Sequence, residues 1–131
     1  MSNIGALTQL AQLIESLWNK LVKKVRLSSI RNCVIDKTSK VESGSNQVSV
    51  TMGRYSFCGH NCEIVNAEIG SFCSIANNVH IGGAMHPIDW LSTSPVFYEG
   101  RDSVKKKFSE FERPATRKTL IGNDVWIGGI Y

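Results

Sequence analysis

The chain has 131 residues, of which 42% are hydrophobic and 20% charged, with only 3 prolines; this composition gives at most one domain and excludes disorder along its whole length. The net charge of +4 sits at one end: residues 1–40 carry seven Lys/Arg against two acids, and the remainder carries eight against nine. The body therefore lacks the basic stripe of a nucleic-acid binder, and no nucleic-acid partner is expected. No apolar run approaches the roughly 18 residues of a membrane span, and no secretory h-region opens the chain. A cytoplasmic protein with free thiols at Cys33, Cys58, Cys62 and Cys73 is the expectation.

Within residues 1–30, the first element is an amphipathic α-helix. Ile4, Leu7, Leu10, Ala11, Ile14, Leu17, Trp18, Leu21, Val22 and Val25 recur at spacings of three and four, which aligns them on one stripe. Lys20, Lys23, Lys24 and Arg26 gather at its C-terminal end, where cations suit the helix dipole. Two readings remain open: the stripe packs on the body or on a sister subunit, or residues 4–26 lie on an anionic membrane surface, which would place the protein at the inner face of the membrane.

From residue 31 the period changes to six. Ile69–Ser74, Ile75–His80 and Ile81–His86 each open on an aliphatic residue, follow it with Gly or Ala, and carry Cys, Val or Met at the fifth position. Met52–Phe57 and Cys58–Glu63 fit more loosely, Ile64–Glu68 is one residue short, and Ile121–Trp126 restores the pattern before Ile127-Gly128 begins another hexad. A six-residue period is the signature of a triangular β-solenoid. Each hexad forms one side of the prism, its opener points inward, and stability comes from stacking coil on coil. The second residue is expected to be small because the chain bends there, and the fifth because it faces a narrow interior. On this reading Cys58 opens a hexad while Cys62 and Cys73 occupy fifth positions, as small interior residues. A zinc site made from these three would lack the paired spacing of a finger, so no metal is expected.

The coil is interrupted by a loop excursion over 86–118, aromatic in its first half (Trp90, Phe97, Tyr98) and charged through Lys105, Lys106 and Lys107. Long departures from a regular scaffold are usually functional. The run from Gly82-Gly83-Ala84-Met85-His86-Pro87 to Ser94-Pro95-Val96-Phe97, followed by Ile121-Gly122-Asn123-Asp124-Val125-Trp126-Ile127-Gly128, resembles the xenobiotic (CatB-type) branch of the hexapeptide-repeat acetyltransferases. That branch is related to O-acetyltransferases of surface polysaccharides, and the likeness covers roughly residues 50–128. It implies a left-handed parallel β-helix in a homotrimer. The implied activity is transfer of acetyl from acetyl-CoA to a hydroxyl of a sugar (surface polysaccharide or lipopolysaccharide) or of a xenobiotic such as an antibiotic.

The same resemblance implies that His86 is the general base: an imidazole can take the proton of a poorly nucleophilic hydroxyl as its oxygen attacks the thioester. Asp89 is a candidate to orient that ring or to bind the acceptor, against the alternative of a solvated loop acid. Trp90 and Tyr98 are candidates to line the acceptor pocket, against loop packing. Trp126 resembles a tryptophan near the coenzyme A groove, against a partly buried aromatic between coils. His60 and His80 have no matching role and read as outward or turn residues. A zinc site of His60, His80 and His86, as in a carbonic anhydrase on this fold, fails because positions six apart fall on different sides of the prism. The hexads stop at Tyr131, where related proteins continue, so the domain 31–131 reads as C-terminally shortened. A shortened solenoid acting only as a trimeric, non-catalytic scaffold is the alternative function.

Overall fold

In the computed structural model, residues 2–129 are described. The side chains of Ile4, Lys23 and Lys24, which belong to the expected stripe and its basic end, and residue Tyr131 lie outside the described residues. The chain is mainly β, a parallel solenoid preceded by one helix. Helix α1 spans Ser2–Val25. It does not fold back on the body: Leu7, Leu10, Ile14, Leu17, Trp18 and Leu21 are all more than half exposed. The reading in which α1 packs on its own solenoid is therefore corrected. No helix among the described residues is long and apolar enough to cross a membrane.

The solenoid is built from β1 (Ser29–Arg31), β2 (Val34–Ile35), β3 (Lys40–Val41), β4 (Asn46–Met52), β5 (Phe57–Cys58), β6 (Glu63–Ile69), β7 (Ser74–Ile75), β8 (His80–Gly82), β9 (Thr119–Ile121) and β10 (Trp126–Ile127). All pairings are parallel. One sheet runs β1-β4-β6-β8, with β2 beside β4 and β9 beside β6, and the other runs β10-β7-β5-β3. Ser29 lies opposite Asn46, Asn46 opposite Glu63, and Glu63 opposite His80; Lys40 lies opposite Phe57, and Phe57 opposite Ser74. The coil is thus 17 residues long, two hexads and one side of five. The short side at Ile64–Glu68 is not a single slip, because a five-residue side recurs in every coil.

The core is a set of stacked columns. Met52, Ile64, Ile69 and Ile75 are almost wholly buried, Ile81 nearly so, and Ile35, Val41, Ile121 and Ile127 pack around them. The column of Ile64 and Ile81 also holds Gln47, which is fully buried.

In five hexads the bend falls at the fourth residue, not the second. Tyr55, Asn61, Phe72, Asn78 and Asp124 all have positive φ. The second residue is small because the next coil crowds it: a Cβ on Gly70 would lie 2.6 Å from the Gly122 carbonyl oxygen and 2.5 Å from Asn123 Oδ1.

The fifth position does more than fill space. Ser56 Oγ donates to the Gly70 carbonyl (2.8 Å) and accepts from the Cys73 amide (3.0 Å). Ser45 does the same with Gly59 and Cys62, at 2.9 and 3.1 Å. One coil later the thiols of Cys62 and Cys73 take over as donors, to Ala76 and Gly122, each at 3.1 Å. Serine and cysteine are therefore equivalent here as short donors that tie a coil to the next. This accounts for two of the free cysteines; the others are Cys33, whose sulfur accepts the Val50 amide, and the buried Cys58. Ser56→Ala would leave a buried amide and a carbonyl unpaired and should lower stability by about 1–3 kcal/mol. Ser56→Cys should restore most of the loss. Denaturant unfolding of the three chains checks this, and equal loss in both variants would refute the donor role.

Candidate active site

The long loop leaves the solenoid within one side of a coil. Strand β8 pairs with the first half of β6 and β9 with its second half, where β4 in the coil below is continuous. Ala67 lies opposite Thr119 instead of residue 84, so 35 residues are inserted without a change of register. The exit is the bend column of Asn32, Ser49 and Asn66, where positive φ is already required. Gly82 and Gly83 continue at φ 73° and 108°, and a Cβ on Gly82 would strike the Val65 carbonyl oxygen.

Three residues beyond this exit stands His86, with its side chain exposed. Its Nδ1 lies 2.9 Å from the Thr93 carbonyl oxygen and 3.2 Å from the Tyr98 hydroxyl. A carbonyl oxygen only accepts, so Nδ1 carries the hydrogen, and in the neutral ring Nε2 holds the free lone pair.

The ring is held by a loop with a core of its own. A short 3-10 helix, Pro95–Phe97, is capped by Ser94. Behind it Tyr98, 1% exposed, packs edge-on to both His86 and Trp90, with centroids 6.3 Å apart in each case. Trp90 meets Phe111 at 6.1 Å and Phe97 meets Phe108 at 5.8 Å. Tyr98 and Phe111 form a β-bridge, and the Glu99 amide donates to the Phe111 carbonyl.

Lys107 fastens the turn. Its ammonium donates to the Pro95 and Tyr98 carbonyls, at 2.8 and 2.9 Å, and pairs with Asp102. It also lies 5.3 Å from the centre of the Tyr98 ring. The hydrogen bond from Lys107, helped by the Val104 amide, holds the Asp102 carboxyl below the usual carboxylate range.

Against the loop's outer face lies an open groove of about 440 Å³ walled by Trp90, Leu91, Phe97 and Phe111, with Ser92 its polar member. That size suits a small organic molecule. Trp90 thus faces the groove, whereas Tyr98 is packed beneath it with its hydroxyl against the histidine. Asp89 is exposed and is not the partner of His86, whose Nδ1 is occupied by Thr93 and Tyr98.

Trp126 is 80% exposed and stands on β10, in the outward column of Lys40, Phe57 and Ser74 on the other sheet. A single chain does not bring Trp126 to His86. His60 contacts Ser43 at a coil corner, and His80 faces Glu63, so neither approaches His86. Cys58, fully buried, accepts from Gln47 Nε2, and burial pushes its thiol up to about 11. A thiol so disposed is inert.

The chain is thus a parallel solenoid of hexapeptide repeats, broken once by a loop that carries an exposed histidine and an apolar groove. The chain is 41% identical over 64 residues to a chloramphenicol acetyltransferase of Escherichia coli, a match covering 46% of this chain and 30% of that protein. It is 33% identical over 117 residues to a chloramphenicol acetyltransferase of Morganella morganii, covering 71% of this chain and 55% of the relative. It is 37% identical over 75 residues to a probable macrolide acetyltransferase of Lysinibacillus sphaericus, covering 53% and 41%. No protein-family model and no solved structure matches it. The chain is a homologue of these CatB-type hexapeptide-repeat acetyltransferases and spans between 30% and 55% of their lengths.

Residue-level reading of the sequence did not find Thr93, Asp102, Lys107 or Arg113. Thr93 acts through its backbone carbonyl, which no side-chain type reveals. Lys107 looks identical to its neighbours Lys105 and Lys106, which are exposed. Arg113 stacks on Tyr98 at 5.2 Å from a distance of 15 positions along the chain.

Because the pKa of Asp102 is depressed in the folded chain, the Lys107–Asp102 contribution is complete above the unfolded carboxylate's range and is lost as pH falls through the lower folded value. Lys107→Met should therefore loosen the loop at neutral pH, and acid should do so in the unaltered chain. Chymotrypsin cleavage between residues 88 and 111 should accelerate about ten-fold or more with the solenoid intact. Unchanged cleavage would show that the aromatic contacts suffice alone.

Proposed function

We propose that this chain transfers acetyl from acetyl-CoA to a hydroxyl of a small xenobiotic acceptor, with His86 as general base. The observation that carries the reading is the bond from His86 Nδ1 to the Thr93 carbonyl, which leaves Nε2 free on an exposed ring that packs on the same Tyr98 as Trp90, a wall of the groove. Nε2 takes the acceptor's hydroxyl proton as the oxygen attacks the thioester carbonyl. The tetrahedral oxyanion is stabilised by nearby donors, and the imidazolium returns the proton to the departing coenzyme A sulfur. No covalent acyl-enzyme is needed.

Thr93 and the buried Tyr98 fix the ring, so the base is preorganised. Trp90 and its apolar neighbours form the wall against which the acceptor's carbon skeleton lies. This wall favours an apolar-bodied antibiotic over a polysaccharide sugar, which would leave its hydroxyls unpaired there. Antibiotics are also what the relatives' names specify. Asp89 would meet a polar substituent of the acceptor; its exposure supports this.

Trp126 serves the coenzyme A groove from a neighbouring copy in a homotrimer. The support is its place on the sheet that does not carry the loop, with its ring open to contact.

The test is release of coenzyme A from acetyl-CoA with chloramphenicol and with a macrolide as acceptors. His86→Ala should lower kcat/KM by about 10²–10⁴ with the fold unchanged, the usual contribution of a positioned base. An undiminished rate in the variant would remove His86 from the role. A folded, trimeric chain that neither binds acetyl-CoA nor transfers acetyl would leave the scaffold function in its place.

A further inference from the structure

Acetyl transfer gives no part to α1, yet α1 carries a long run of uncovered apolar side chains. Along it Leu7 is 66% exposed, Leu10 54%, Ile14 58%, Leu17 56%, Trp18 63% and Leu21 53%. The solenoid does not call for that surface, since its core closes on residues from Cys33 to Ile127 alone. α1 is an amphipathic helix of 24 residues, and most of the stability of such elements comes from burial of the apolar face. Something therefore covers this stripe.

Two features of the helix say what. First, Leu7, Leu10, Ile14, Leu17 and Leu21 follow spacings of three, four, three and four. That is a 3.5-residue repeat, which keeps a seam facing a partner helix over successive turns. Second, the opposite face carries Gln9, Gln12, Ser16 and Asn19, and the only charged side chain from residue 2 to residue 19 is Glu15. A helix lying on an anionic lipid surface carries cations along its polar flank; here the basic residues begin only at Lys20. The face, widened by Leu13 on one side and Trp18 on the other, suits another apolar helix face with no cations at its borders.

We propose that α1 is a self-association element, packing through the seam centred on Ile14 against α1 of a further copy of this chain. The contact is separate from the active site and does not depend on the acetyl-transfer reading. It would join copies even where the solenoid faces do not.

Ile14 lies midway along the seam, so in either parallel or antiparallel pairing it meets Ile14 of its partner. Ser16 lies on the far face. The full chain carrying Ile14→Cys or Ser16→Cys is treated with a short bis-maleimide, and the unaltered chain sets the background from the partly exposed Cys33. The expected result is covalent oligomer at Ile14→Cys, background at Ser16→Cys, and loss of the Ile14→Cys product when Leu17→Glu is added. Helix content is followed by circular dichroism, and Leu10→Asn at the same seam serves as a milder variant should Leu17→Glu unfold α1. Equal capture at both positions, or background capture at both, would overturn the proposal. So would capture-free, monomeric chain that binds vesicles of phosphatidylglycerol, which would make a lipid surface the occupant.

Discussion

Each coil gives its backbone hydrogen bonds to the coil 17 residues further on, and the rest of the molecule is arranged so that this exchange is not interrupted. Parallel strands two to seven residues long would be weak alone. They hold because the bends between them are also tied. Ser39, Ser45, Ser56, Cys62 and Cys73 each reach into the following coil's backbone from an inward fifth position. Asn77 and Asn123 reach back to the preceding coil from outside, accepting the amides of His60 and Ser71. The polar groups that a turn would otherwise leave unpaired in a narrow interior are thereby satisfied.

This constraint explains which parts of the structure were readable. Period six was visible because openers such as Ile69, Ile75 and Ile81 are forced inward by the prism. The true repeat of 17 was not, since a five-residue side looks like an error when only one is noticed and the upstream equivalents hide under Gln47 and Ile30. Smallness at the second hexad position was legible and its cause was not: Gly70 is small because of a neighbour 52 residues away, Gly122. Likewise the cysteines read correctly as interior residues, but their donor role appears only when coils are stacked.

The loop divides in the same way. His86, Trp90 and the aromatic run could be picked out, since a histidine after Gly-Gly and a cluster of rings in a long excursion are local signals. What holds them is not local. Tyr98 is clamped by Lys107, Phe111 and Arg113, residues that in sequence form an ordinary charged stretch. The second half of the excursion is therefore the framework of the first. Tyr98 itself is buried beneath the loop and packs against the histidine.

The place where the loop joins the solenoid has a consequence for how such a protein can change. The chain departs at a bend and returns to the same strand, β6, with its pairing register restored. Neither the length nor the composition of the excursion is read by the stacked coils, provided that its two ends stay one bend apart. Substitutions, insertions or exchange of the whole excursion can reshape the groove while the coils keep their alignment, so the groove is free to diverge much faster than the fold that carries it.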